Sequence, residues 1–270
     1  MKDFTDTTGF ITGGASGIGL AMARALGQRG MRVMLADIEA DALARAEETL
    51  RGEGIEAHGA VLDVGDAEAY ARVAEQTLAT LGKVNFLFNN AGVGTLSPAG
   101  QTPARDWQWV VNVNLLGVAY GVECFLPAMQ ALGEPCHVMN TASLAGHVAN
   151  AGFGPYNATK FAVVGYSECL RQELAKSNVG VSVLCPAWIK TRIAESGRNH
   201  PDAGRAEDAR AGMNPIAELI EAEGLPVDTL IQRAIDAMAD GTFHVFTHPD
   251  FWPMVEERLE RVRADYGRVL

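Results

Sequence analysis

The chain has 270 residues, 48% hydrophobic and 20% charged, which is ordinary for a folded domain and excludes a disordered or fibrous sequence. Its 33 acidic and 22 basic residues give a net charge of −11, which repels phosphate backbones and anionic membrane surfaces and argues against a nucleic-acid partner. Cys124, Cys136, Cys169 and Cys185 form no C-x-x-C pair, so they read as small buried apolar side chains of a reduced compartment rather than zinc or dithiol ligands.

Asp3 and Asp6 stand where a secretory signal would build its apolar stretch, and no segment reads as the ~20 apolar residues of a membrane span. The cytoplasm is the expected location. Short apolar runs ending in polar or glycine turns alternate with stretches of helical period, the pattern of strand-helix units around a parallel sheet. Strands are predicted at 10–12, 31–37, 56–63, 84–89, 137–141, 181–185 and 243–247. They suit one α/β, doubly wound, Rossmann-like domain over 1–270, a seven-stranded parallel sheet flanked by helices.

The first strand is the weakest, because Thr7, Thr8 and Gly9 stand where a buried strand favours branched apolar residues. After it comes Thr12-Gly13-Gly14-Ala15-Ser16-Gly17-Ile18-Gly19, then Ile18, Met22, Ala25 and Leu26 on one helix face. A glycine turn between strand and helix lets backbone approach a pyrophosphate and aims free N–H groups at it, although the same turn occurs in any strand-turn-helix unit. Asp37 ends the second strand eighteen residues past Gly19, where a carboxylate can accept hydrogen bonds from adenosine ribose hydroxyls. Beside the extra phosphate of NADP it would meet like charge, costing about 4 kcal/mol per charge at ~4 Å and an effective dielectric of ~20. Neither Ser16 nor Ile38 supplies a compensating cation, so NAD is favoured.

Asp63 closes the third strand, and Asn90 and Gly92 close the fourth, both at the carboxyl edge where open parallel sheets bind ligands. The stretch 107–129 is apolar on nearly every face, so a helix there is expected to bury one side on the sheet and the other on a second subunit. Ser143 follows the fifth strand and could hydrogen-bond a substrate oxygen, or simply cap a turn. Tyr156 and Lys160 open a helix at i and i+4 as side-chain neighbours. An ammonium within ~4 to 6 Å can lower a phenol pKa by roughly 1 to 3 units, making Tyr156 a candidate general acid/base.

The polar stretch 190–224 interrupts the strand-helix rhythm and suggests a mobile lid. His244 and His248 bracket a strand, where four residues span roughly 13 Å, too far for one metal ion, and no metal is expected. His147 could face substrate but reads more readily as a solvated loop residue. The stretch 253–270, with Val255, Leu259, Val262 and Tyr266 on one face, reads as a docking helix.

Together these residues resemble the short-chain dehydrogenase/reductase family in its compact single-domain branch. The pattern T-G-x-x-x-G-x-G falls on Thr12, Gly13, Gly17 and Gly19, N-N-A-G on Asn89 to Gly92, and N-L-x-G on Asn114 to Gly117. The active-site serine falls on Ser143 and Y-x-x-x-K on Tyr156 and Lys160. The resemblance implies a tetrad in which Asn114 holds helix geometry and a water, Ser143 positions the substrate oxygen, Tyr156 exchanges the proton, and Lys160 binds nicotinamide ribose while lowering the tyrosine pKa. It also implies cofactor contacts from Gly13, Ser16, Gly17, Ile18, Gly19, Asp37, Asp63, Val64, Asn90, Gly92, Tyr156, Lys160, Pro186, Ile189 and Thr191, and a homotetramer or homodimer. Pro186-Ala187-Trp188 departs from the Pro-Gly of many relatives. Met1 to Phe4 and Gly180 to Ser196 are similar to bacterial enzymes that oxidise benzylic alcohols of lignin-derived aryl ethers.

The expected function is NAD-dependent hydride transfer between nicotinamide and a secondary alcohol or ketone. Phe153, Trp188, Ile193 and Met213 suggest an apolar or aromatic substrate pocket. An NAD-binding sensor or scaffold without turnover, and a sugar-nucleotide epimerase, are the alternatives.

Overall fold

Seven apolar runs become strands β1 (Thr8–Thr12), β2 (Arg32–Asp37), β3 (Ala57–Val61), β4 (Phe86–Asn89), β5 (Cys136–Thr141), β6 (Val179–Cys185) and β7 (His244–Phe246). They form one parallel sheet in the order β3-β2-β1-β4-β5-β6-β7. The computed structural model describes residues 1–269, with the backbone alone for 203–212. The side chains of 203–212 within the expected lid, and Leu270 at the end of the expected docking helix, lie outside the described residues.

The period-2 alternation of the strands sends neighbours to opposite faces. On one face Phe10, Leu87 and Val138 pack with α3 (Ala67–Leu81), α5 (Gly117–Ala131) and α6 (Gly154–Glu173), through Tyr70, Phe125 and Val163. On the other, Ile11, Phe86, Phe88 and Met139 pack with α1 (Gly17–Gly27), α2 (Ala40–Gly52) and α8 (Asp228–Asp240), through Met22, Leu50 and Ile235. The remaining helices are α4 (Ala104–Val111), α7 (Ala203–Glu223) and α9 (Trp252–Tyr266). The chain winds from β1 outward to β3, then returns to lay β4 on the other side of β1. The crevice at the carboxyl ends of β1 and β4 is therefore the topological switch point.

β1 is not weak. Thr8 donates through Oγ1 to the Lys83 carbonyl and through its backbone N–H to Asn85 Oδ1 at 3.2 Å, so its polar groups are satisfied although buried. A Cβ on Gly9 would lie 2.8 Å from Met31 Sδ, so glycine is what lets that methionine close over the strand. Branched side chains were unnecessary because packing and side-chain hydrogen bonds replace them.

The helical run Ala104–Ala131, 28 residues including a π-helical turn at Asn112–Leu116, is long and apolar enough to cross a membrane, contrary to the sequence reading. Gly117, Val118, Gly121, Val122, Phe125 and Met129 are buried, which is the behaviour of a core helix. Leu115, Tyr120, Cys124 and Leu126 are half-buried, packed against the same core. The cysteine expectation holds for Cys136 and Cys185, whereas Cys169 is exposed. The expected lid is folded as a 3-10 segment, Arg192–Asn199, followed by α7. α9 buries Val255, but Leu259, Val262 and Tyr266 beyond it are exposed, so most of the expected docking face is open.

Candidate active site

A cavity of about 630 Å³ opens along the carboxyl edge from Asp37 past Gly13 and Asn90 to Ser143, Tyr156 and Pro186. At its β1 end, Gly13 and Gly17 have φ of 63° and 52°, a left-handed backbone that favours glycine. A Cβ on Gly19 would sit 2.2 Å from the Gly13 carbonyl oxygen, so α1 can start against the turn only without a side chain there. Thr12 Oγ1 accepts the backbone N–H groups of Asn90 and Ala91 at 2.9 and 3.0 Å, and Asn90 Nδ2 donates to the Thr12 carbonyl at 3.0 Å. The asparagine side chain thus ties β4 to the glycine turn.

Asp37 is fixed by two backbone donors, Ala15 N–H to Oδ2 at 3.0 Å and Glu39 N–H to Oδ1 at 3.1 Å. Asp63 Oδ1 accepts from Gly65 N–H at 2.9 Å. Ser16, Gly17, Ile18, Asp63, Val64, Gly92, Ile189 and Thr191 line the same cavity, whereas Gly19 supports it from behind. Among the described residues no group of three or more His, Cys, Asp or Glu side chains comes together to hold a metal.

At the chemical end, α6 begins at Gly154 with Pro155 in its first turn, which sets Tyr156 and Lys160 on one face. Lys160 Nζ lies 5.6 Å from the Tyr156 ring centroid and donates to the Thr141 carbonyl at 2.8 Å. Ser143 Oγ donates to the Pro186 carbonyl at 3.1 Å and accepts from Ala145 N–H at 3.1 Å. Burial pushes the Tyr156 phenol above its ordinary value, and a hydrogen bond with Ser143 pulls the other way. Burial also pulls the Lys160 ammonium down, to about 8. The phenol is thus raised rather than lowered as expected, with burial setting the direction. Lys160 is buried and Tyr156 half-buried at the cavity wall, and loss of water penalises phenolate and ammonium alike.

Asn114 is fully buried on the π-turn, where the wider helix leaves backbone groups without their usual partners. Its Oδ1 accepts from Val93 N–H at 2.8 Å, while Nδ2 donates to the Val93 carbonyl at 2.9 Å and to Thr159 Oγ1 at 3.3 Å. It clamps the loop after β4 to α6. Behind it runs a buried polar chain: Tyr70 Oη donates to Asn89 Oδ1, Asn89 Nδ2 to Asn140 Oδ1, and Asn140 Nδ2 to Ser167 Oγ, at 3.2, 2.9 and 3.0 Å.

The outer wall is apolar. Ala194, Met213 and Ile220 cluster with Leu96, Phe153, Trp188, Ile193 and Ile216, so the predicted pocket residues do come together. Sequence reading missed Trp109, Phe251 and Met254, which line the cavity from α4 and the start of α9. It also missed Ser196, whose Oγ accepts from Gly94 N–H at 3.0 Å and pins the 3-10 segment over the crevice. His147 is neither substrate-facing nor a solvated loop residue. Its Nε2 lies 3.3 Å from Cys185 Sγ and its ring packs 4.9 Å from Phe246, where burial lowers its pKa to about 4.

Residues 8–202 match the family model described as short chain dehydrogenase. A C alpha-dehydrogenase of a Sphingobium species is 40% identical over 264 residues, 97% of this chain and 85% of that protein. The 1-deoxy-11-beta-hydroxypentalenate dehydrogenase of Streptomyces avermitilis is 35% identical, covering 90% of this chain and 85% of the relative. A crystal structure of a short chain dehydrogenase/reductase from Burkholderia phymatum in complex with NAD superposes with a TM-score of 0.93 at 37% identity, over 98% of this chain and 97% of that one.

Proposed function

Since this chain belongs to the short-chain dehydrogenase/reductase family, an oxidoreductase family, we propose that it oxidises an apolar or aromatic secondary alcohol, using NAD, with Tyr156 moving the proton. The observation that carries this reading is the meeting of Tyr156, Lys160 and Ser143 on the cavity that also holds the glycine turn and Asp37. A dinucleotide fits the residues present: a glycine cradle that a Cβ would fill, α1 pointing its N-terminus into the cavity, and a fixed carboxylate at the far end. Gly13, Ser16, Gly17 and Ile18 would hold the pyrophosphate, Asp37 the adenosine ribose, and Asp63 with Val64 the adenine. Asn90, Gly92, Lys160, Pro186, Ile189 and Thr191 would hold the nicotinamide half. When bound, NAD supplies the hydride acceptor.

Ser143 orients the alcohol oxygen toward Tyr156, which takes the hydroxyl proton as the carbon gives up hydride. Tyr156 must be a phenolate to accept that proton and becomes a neutral phenol as it does so. Lys160 supplies the positive charge that favours the phenolate beforehand, and Asn114 keeps α6 in register with the loop after β4. The apolar wall favours an uncharged substrate, since a carboxylate or phosphate there would lose its water without a partner. The NAD-bound neighbour and the Asp37 carboxylate support NAD over NADP. The relatives named as dehydrogenases do not favour a turnover-free sensor or a sugar-nucleotide epimerase.

An absorbance screen for NADH at mildly alkaline pH tests this. Uncharged aryl and alicyclic secondary alcohols should turn over, and hydroxy acids of similar size should be poor. Exclusive turnover of anionic alcohols, or none of either class with NAD bound, rejects the substrate reading.

A homotetramer or homodimer is part of the same proposal. It is supported by the open stripe of Leu259, Val262 and Tyr266 on α9. Sedimentation at micromolar concentration should give two or four times the chain mass, and a monomer would refute it.

A further inference from the structure

We propose that Glu39 is a cofactor-selectivity residue, which captures two arginines at the adenosine end of the crevice and withholds them from a 2′-phosphate. The inference rests on the dinucleotide reading above and deepens it.

The argument begins with what the fold brings to Asp37. Its sequence neighbours carry no cation, but the 3-10 segment Arg192–Asn199 crosses the crevice and delivers Arg192 and Arg198 to the cavity wall that includes Asp37 and Ile38. Two guanidiniums at that edge are the donors a 2′-phosphate needs, since each can offer paired N–H groups to phosphate oxygens. Left free, they would offset the repulsion from Asp37 on which NAD preference depends.

They are not left free. Glu39 Oε1 accepts from Arg198 Nε at 3.0 Å and from Arg198 Nη2 at 2.5 Å, and also from Asn199 Nδ2 at 3.3 Å. Glu39 Oε2 lies 3.7 Å from Arg192 Nη1. The remaining Arg198 donor, Nη1, points at the Arg192 carbonyl at 3.3 Å, and Arg192 Nε is engaged by Glu195 at 2.9 Å. Arg198 and Glu39 are 17% and 25% exposed, so this pair is partly withdrawn from solvent screening, unlike the more open Arg192. Glu39 is also tied to Asp37 through its own backbone N–H, so the captured charge is held next to the ribose carboxylate. The arginines hold the Glu39 carboxyl below its ordinary value, so it is charged throughout the neutral range.

Three carboxylates, Asp37, Glu39 and Glu195, therefore meet two guanidiniums at this corner, with Glu39 the one that holds Arg198. Removing the Glu39 carboxylate takes the corner from net negative to neutral and releases the Arg198 guanidinium, a donor for a dianion. The competing role for the same contacts is a simple clasp that fastens the 3-10 segment over any bound dinucleotide, with no preference between NAD and NADP.

Equilibrium binding separates the two. Dissociation constants for NAD and NADP, and for ADP-ribose and its 2′-phosphate, would be measured by calorimetry on wild type, Glu39→Gln, and Glu39→Gln/Arg198→Met. The expected result for Glu39→Gln is a fall of about tenfold in the NADP-to-NAD ratio of dissociation constants, the equivalent of 1.4 kcal/mol, repeated with the ADP-ribose pair and reversed by the second substitution. An unmoved ratio, or parallel weakening of both nucleotides, overturns the inference while leaving the enzyme reading intact. A wild type that binds neither nucleotide overturns both.

Discussion

Tyr156→Phe should lower kcat for alcohol oxidation by about 10²- to 10⁴-fold, the range in which general acid/base groups contribute. The loss should appear in kcat rather than in cofactor affinity. The phenol lines the cavity without occupying the glycine cradle or the Asp37 end, and phenylalanine keeps its ring packed 6.2 Å from Phe153. Steady-state NADH absorbance with nucleotide binding by fluorescence checks both halves. Turnover within a few-fold of wild type would remove Tyr156 from the chemistry.

Lys160→Met should give the second large effect, on activity and stability together. Activity should fall by a similar order, because the phenolate that must accept the alcohol proton loses the cation that favours it. The stability prediction has the opposite sign at neutral pH. The folded-state pKa of about 8 lies below the usual 10.5, so the unfolded chain binds the proton more tightly and the native state is penalised below both values. That penalty, up to about 3 kcal/mol before subtracting about 1 kcal/mol for the hydrogen bond to the Thr141 carbonyl, is absent from the methionine variant. Wild-type stability should therefore rise between pH 8 and 10.5 through this group, and the advantage of Lys160→Met at pH 7 should fade over that window. Denaturant unfolding of both proteins at several pH values measures it. A methionine variant less stable at pH 7 than at pH 10, relative to wild type, contradicts the burial argument.

The sheet was legible because each strand is a short apolar run closed by a polar or glycine turn, and a fully buried parallel strand needs no alternation to announce it. Each predicted strand is present, with ends differing by at most two residues. The apolar cluster around Trp188, Phe153 and Met213 was likewise readable, because those residues lie in segments leaving the carboxyl edge. What escaped depends on distance along the chain. Arg198 meets Glu39 across 159 positions, and no local spacing marks that encounter. The phenol's environment escaped for a different reason. The i, i+4 spacing places an amine beside Tyr156, but the burial that raises the phenol comes from the whole crevice. The π-turn at Asn114 is invisible to a 3.6-residue period, which reads straight through it.

The family match ends at residue 202, yet Met213, Ile220, Phe251 and Met254 form part of the wall facing Tyr156. The residues proposed for proton and hydride transfer thus lie in the matched portion of the chain, while the apolar cavity wall is drawn partly from its final seventy residues. Such a division lets descent reshape what is accepted without disturbing how it is transformed, so close agreement across the first two hundred positions is a poor guide to which alcohol two relatives have in common.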